Sequence, residues 1–140
     1  MTDRFLHIKS AKFPILSGEE EEIVNPGMYG RALAQYLQQQ LQKRGYDAPF
    51  VCAEDWGWWV ALESAPFPFG ACIYCRPFED QPTEYVIAHG APPGGRKWSW
   101  KQLKFLDTTP WIDKLYEDLA AVVEADPEIE SLGLVDEMPF

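Results

Sequence analysis

The sequence predicts an α+β fold: a single antiparallel sheet of about 4–6 strands, with two amphipathic helices packed on one face as a two-layer sandwich. Three observations predict it. Short β-rich segments follow one another between residues 48 and 90, separated only by turn-rich stretches, which is the signature of an antiparallel meander. Two segments on either side carry apolar residues at helical spacing. No linker, internal repeat or low-complexity stretch divides the 140 residues, so residues 1–140 are expected to form a single domain.

The elements are justified in order. Residues 4–16, "RFLHIKSAKFPIL", alternate apolar and polar side chains and read as a first strand. Pro14 places that strand at a sheet edge, because proline cannot donate to a ladder. The acidic run Glu19–Glu22 reads as a solvated loop that brings negative charge near a helix N-terminus. Asn25 is a candidate cap, Pro26 suits a first turn, and Tyr29, Leu33, Tyr36, Leu37 and Leu41 form the apolar face of the first helix. Gly27 and Gly30 weaken its start, and Gly45 suits a left-handed cap after Lys43 and Arg44.

Strands are then expected at 49–53, 57–64, 71–77 and 84–89, with turns at 65–70 and 78–83 and a loop at 90–97. Residues 98–106, "WSWKQLKFL", read as a further strand, a helical turn near Leu103 being the competing reading. Thr109 caps and Pro110 opens the second helix, whose stripe is Ile112, Leu115, Tyr116, Leu119, Val122 and Val123, and Pro127 ends it. A short strand is expected at Leu132–Val135.

Composition narrows the function classes. With 22 acidic against 12 basic residues the net charge is −10, which argues against a nucleic-acid binder and suits a basic protein partner. Aromatic residues make up 14% of the chain, a surplus of flat surface suited to partners. No segment reads as a signal peptide or a membrane span, and the three cysteines read as reduced thiols, so a cytoplasmic location is expected.

The motif that carries most information is "AEDWGWWV" at 53–60. Glu54 and Asp55 are adjacent, and adjacent strand residues point to opposite faces, so they do not form a catalytic pair. Asp55 and Gly57 read as a turn into the next strand. By alternation Trp56, Trp58, Val60 and Leu62 share one face, and Trp59 and Ala61 share the other. If helices cover the first face, Trp59 and Glu54 belong to a contact surface. Glu54, Asp55, Trp56, Trp58 and Trp59 are therefore the candidate binding residues.

Other constellations are weaker. Cys72 and Cys75 stand i, i+3 in a strand, so their sulfurs point apart and serve neither redox nor zinc chemistry. A hairpin closing at 78–83 brings Cys72 and His89 across from each other, a pairing that could be nucleophilic. Arg96, Lys97, Lys101 and Lys104 interleave with tryptophans as a nucleic-acid surface would, although a strand with lysines toward water explains them as well. No catalytic residue, metal set or cofactor is assigned.

The helix ending in glycine, the "EDWGW" of residues 54–58 leading into a strand, and the late helix followed by "ADPEIESL" resemble small bacterial proteins with an E-D-W-G-W box between first helix and sheet. That resemblance implies the element order over residues 25–135 and no activity. The leading expectation is a non-enzymatic domain that binds a protein, for example an immunity protein neutralising a basic toxin. The alternative is a small-molecule or catalytic site in a pocket between sheet and helices, using Glu54, Asp55, the tryptophans and His89.

Overall fold

The computed structural model describes residues 4–23, 29–63, 65–76, 83–90, 96–99 and 104–139. In chain order these form β1 (Phe5–Ser10), α1 (Glu19–Glu22), α2 (Arg31–Lys43), β2 (Val51–Glu54), β3 (Gly57–Ala61), β4 (Gly70–Cys75), β5 (Thr83–Gly90), β6 (Arg96–Ser99), β7 (Lys104–Asp107), α3 (Thr109–Glu124) and β8 (Ile129–Val135). Six strands make one antiparallel sheet in the order β2-β3-β4-β5-β1-β8. The α+β two-layer arrangement is thus present, with α2 over β2 and β3 and α3 over β5, β1 and β8.

The register explains the layer. Leu6, Ile87, Ile73, Trp58 and Ala53 form one row across five strands. The first four of these are fully buried, and Trp58 is 1% exposed. Leu33, Leu37 and Leu41 of α2 and Ile112, Leu115, Leu119 and Val123 of α3 close over the same face. At roughly 2 kcal/mol for each fully buried aliphatic or aromatic side chain, this layer dominates the folding energy.

Several expectations change. β1 ends at Ser10 and lies between β5 and β8. Pro14 falls after the strand, so it imposes no edge position, and the edges are β2 and β8. β8 is longer than Leu132–Val135 and carries a register shift opposite His7 and Ile8, with Gly133 at φ +94°. The single strand expected at 98–106 is divided between β6 and β7, which pair in a separate two-stranded sheet. Arg96 and Lys97, expected in a loop, begin β6.

The acidic run is exposed at Glu21 and Glu22, as expected, but it is not a loop. It forms the single turn α1, and Glu19 is wholly buried. Its Oε1 accepts the Leu16 N–H at 3.0 Å, and its Oε2 accepts those of Gly30 at 2.9 Å and Arg31 at 3.1 Å. A carboxylate from another element therefore satisfies amides at the start of α2, where the helix dipole favours negative charge. Asn25 and Pro26 lie outside the described residues. The cap of α3 sits one residue earlier than expected: Thr108 is the N-cap, and Asp107 Oδ1 accepts the Thr109 N–H at 3.0 Å. At the end of α2, Gly45 takes the left-handed conformation at φ +95°, as its position implied.

Candidate functional site

The residues of the E-D-W-G-W box are spread over two faces and a turn. Glu54 ends β2 and pairs with Gly57 at the start of β3, so Asp55 and Trp56 are the two residues of a tight hairpin loop. Asp55 is exposed there, and Glu54 is half-buried with the Cys52 thiol donating to its Oε1 at 3.5 Å. The two acids do not converge on one site. Gly57 has φ +156°, and a Cβ at that position would stand 2.1 Å from the Ile73 carbonyl oxygen. Glycine is required because the β3 backbone approaches β4 this closely.

Trp58 is a core residue under α2 and has no part in a surface. Trp56 does not share its face. Strand alternation stops at the turn, and the Trp56 ring packs on Tyr74 with centroids 5.3 Å apart. Tyr74 belongs to the face opposite the helices, since its neighbours Ile73 and Cys75 both point into the core.

That second face carries the row Cys52, Trp59, Cys72, Ala88. Trp59 is half-buried, and its indole lies over Gly70 and Gly90, which face each other across β4 and β5. A Cβ at Gly70 would stand 2.4 Å from Trp59 Cζ2, and one at Gly90 2.2 Å from Cζ3. The indole therefore reaches from β3 over the main chain of β4 and β5.

Two concavities flank this ring system. One, of about 300 Å³, is lined by Phe50, Trp59, Glu63, Phe67, Pro68 and Phe69 among others. Phe50 is 48% exposed, and Phe67 and Phe69 are held edge to face at 5.7 Å. The other, of about 230 Å³, is lined by Arg4, Phe5, Tyr74, Ala88 and His89. Further along the same face the surface turns ionic: His7 Nε2 lies 3.2 Å from Glu84, and Arg76 lies 3.0 Å from it.

The thiols show no sign of nucleophilic chemistry. Cys72 and Cys75 point to opposite faces, as their spacing implied. The Cys72–His89 pairing is not formed. Cys72 stands across from Ala88, and His89 stands across from Ala71, one residue out of step. The His89 ring packs against Tyr116 of α3 at 5.9 Å, and what Cys72 approaches is the His89 carbonyl oxygen at 4.0 Å. Burial pushes the Cys72 thiol up to about 11 and the Cys75 thiol up to about 12. Among the described residues no group of three or more His, Cys, Asp or Glu side chains is placed to hold a metal ion, and no helix is long and apolar enough to cross a membrane.

Sequence reasoning missed the partners of Trp59. Gly70 and Gly90 read as ordinary turn glycines, and only strand register reveals that they make the slot for the indole. Lys101 lies outside the described residues, and of Arg96, Lys97 and Lys104 only the backbone is described, in the β6–β7 pair. The chain matches no protein-family model, no curated protein and no solved structure.

Proposed function

We propose that this chain is a binding protein whose sheet face opposite the helices docks a basic protein, with Trp59 at the centre of the contact. The observation that carries the reading is the seating of Trp59 on Gly70 and Gly90 beside a groove rimmed by the exposed ring of Phe50. A ring held on main chain loses little conformational freedom on association, which is what a contact anchor requires.

Charge supports the choice of partner. Glu63 lines the groove, Glu54 lies on the same face, and the net charge is −10. A field of that sign accelerates encounter with a basic surface and disfavours phosphate backbones. Neutralisation of a basic toxin is one concrete form of such binding. The alternative of a pocket between sheet and helices has less support, because Leu6, Ile8, Leu37, Trp58, Ile73 and Leu115 fill that layer to 1% exposure or less.

The test compares the wild type with Trp59→Ala, using the immobilised chain and quantitative recovery from cells of the source. A saturable basic partner that binds the wild type and loses affinity about 30-fold or more with Trp59→Ala supports the proposal, in line with an anchor worth at least 2 kcal/mol. Equal recovery by both proteins refutes it.

A further inference from the structure

A third concavity lies away from the sheet face, between the end of α2 and the first turns of α3. It has a volume of about 230 Å³ and is lined by Arg44, Gly45, Tyr46, Trp111 and Lys114. Both of its rings are held by neighbours. Trp111 packs edge to face on Phe67 at 5.4 Å, and Tyr46 donates its hydroxyl to Asp118 Oδ2 at 2.7 Å. Burial, then the bond to Asp118, push the Tyr46 hydroxyl pKa upward, so it stays a neutral donor.

The two lining cations share the Asp118 carboxylate. Lys114 Nζ reaches Asp118 Oδ2 at 2.6 Å, and Arg44 Nη1 reaches Oδ1 at 3.3 Å. Asp118 is only 12% exposed at its side chain, whereas both cationic side chains are more than a third exposed. The carboxylate is therefore largely buried, while the two cationic side chains line the cavity and reach solvent. An ammonium has three N–H donors and a guanidinium five, and each gives one to Asp118, so both keep further donors on partly exposed side chains. Lys114 Nζ also sits 5.2 Å from the centroid of the Tyr46 ring, which leaves Trp111 as the stacking wall. Glu117 lies close enough to act on the Tyr46 hydroxyl, as the weakest of its influences.

We infer that this cavity binds a small aromatic carboxylate, its single ring against Trp111 and its carboxylate on Arg44 and Lys114. The size suits a single ring better than a drug-sized molecule, whose pockets run from about 300 Å³ upward. The combination of aromatic walls with two partly exposed cations sets it apart in a chain whose overall charge repels anions.

The probe is 4-methylbenzoate, with 4-methylbenzamide as its neutral isostere, titrated into the native protein and followed by the Trp111 indole N–H resonance, assigned with Trp111→Phe. The acid is expected to give a saturable shift, at least about tenfold tighter than the amide and weakened by salt, because the charge-assisted bonds are lost in the amide. Lys114→Gln, which leaves Asp118 paired with Arg44 and Tyr46, is expected to weaken the acid by about tenfold. Trp59→Ala is expected to leave it unchanged, which separates this site from the sheet face. A linear, unsaturated shift overturns the inference, and so does equal binding of acid and amide. The acid–amide comparison needs no variant to fold.

Discussion

Replacing Gly57 by alanine tests the geometry of the E-D-W-G-W box directly. The added Cβ would sit 2.1 Å from the Ile73 carbonyl oxygen, a backbone atom in the middle of β4. Ordinary carbon–oxygen contacts begin at about 3.3 Å, so more than 1 Å must be recovered by moving β3 away from β4. The pair displaced is Trp58 with Ile73, both of which are core residues at full burial. Weakening two ladder hydrogen bonds costs about 2 kcal/mol, and disturbing a packed core costs about 1–3 kcal/mol. The total is about 4 kcal/mol, a large part of the 5–15 kcal/mol that holds a domain of this kind together. Gly45→Ala is the internal reference. Gly45 also has positive φ, at +95°, but nothing lies within 4 Å of its added Cβ, so it bears only the left-handed strain of about 1–2 kcal/mol. Urea unfolding followed by tryptophan fluorescence and far-ultraviolet circular dichroism gives both values. A Gly57→Ala cost equal to or below that of Gly45→Ala would refute the close approach of β3 to β4.

Three further outcomes are expected. Glu19→Ala removes the acceptor for three backbone amides, at Leu16, Gly30 and Arg31, and should cost about 3 kcal/mol in the same unfolding assay with loss of helical signal. Asp126, held low chiefly by the Lys12 hydrogen bond, and Asp118, where Lys114, Tyr46 and Arg44 outweigh the upward push of burial, both titrate below an unfolded aspartate. Their contribution is complete above about pH 4 and is lost as pH falls through the lowered folded values, so Asp118→Asn should flatten the acid limb of the stability curve. Raised thiol pKa values at Cys72, Cys75 and Cys52 predict slow alkylation of the folded chain near neutral pH, with Cys52 the first to react because it alone is incompletely buried, and all three reacting quickly in denaturant.

The two helices and the meander were legible because their signals are local. Leu33, Leu37 and Leu41 recur at helical spacing, and the turn-separated runs from Val51 to Gly90 announce strands. What was not legible depends on contacts between distant segments. Glu19 looks like any member of an acidic run until its carboxylate meets the start of α2, eleven residues away. β1 looked like an edge strand because Pro14 was counted within it, and only the pairing with β8, drawn from the far end of the chain, makes it central. Alternation placed Trp58 and Trp59 on opposite faces, as found, but failed at Trp56, which lies in the turn and so escapes the period of two. A guessed hairpin register set Cys72 opposite His89, and an error of one residue was enough to send the two to opposite sides of the sheet.

The slot beneath Trp59 also constrains the history of the chain. Positions 59, 70 and 90 share one volume, so a side chain at either glycine must displace the indole, and one at position 70 would also meet the Val60 carbonyl oxygen at 2.5 Å. Relatives that keep the tryptophan are expected to keep both glycines, and those with a side chain at 90 are expected to have a smaller residue at 59. The three positions are therefore expected to vary as a unit across separations of 11 and 31 residues. Such linked variation, found in any set of related chains, would mark the same platform without a structure.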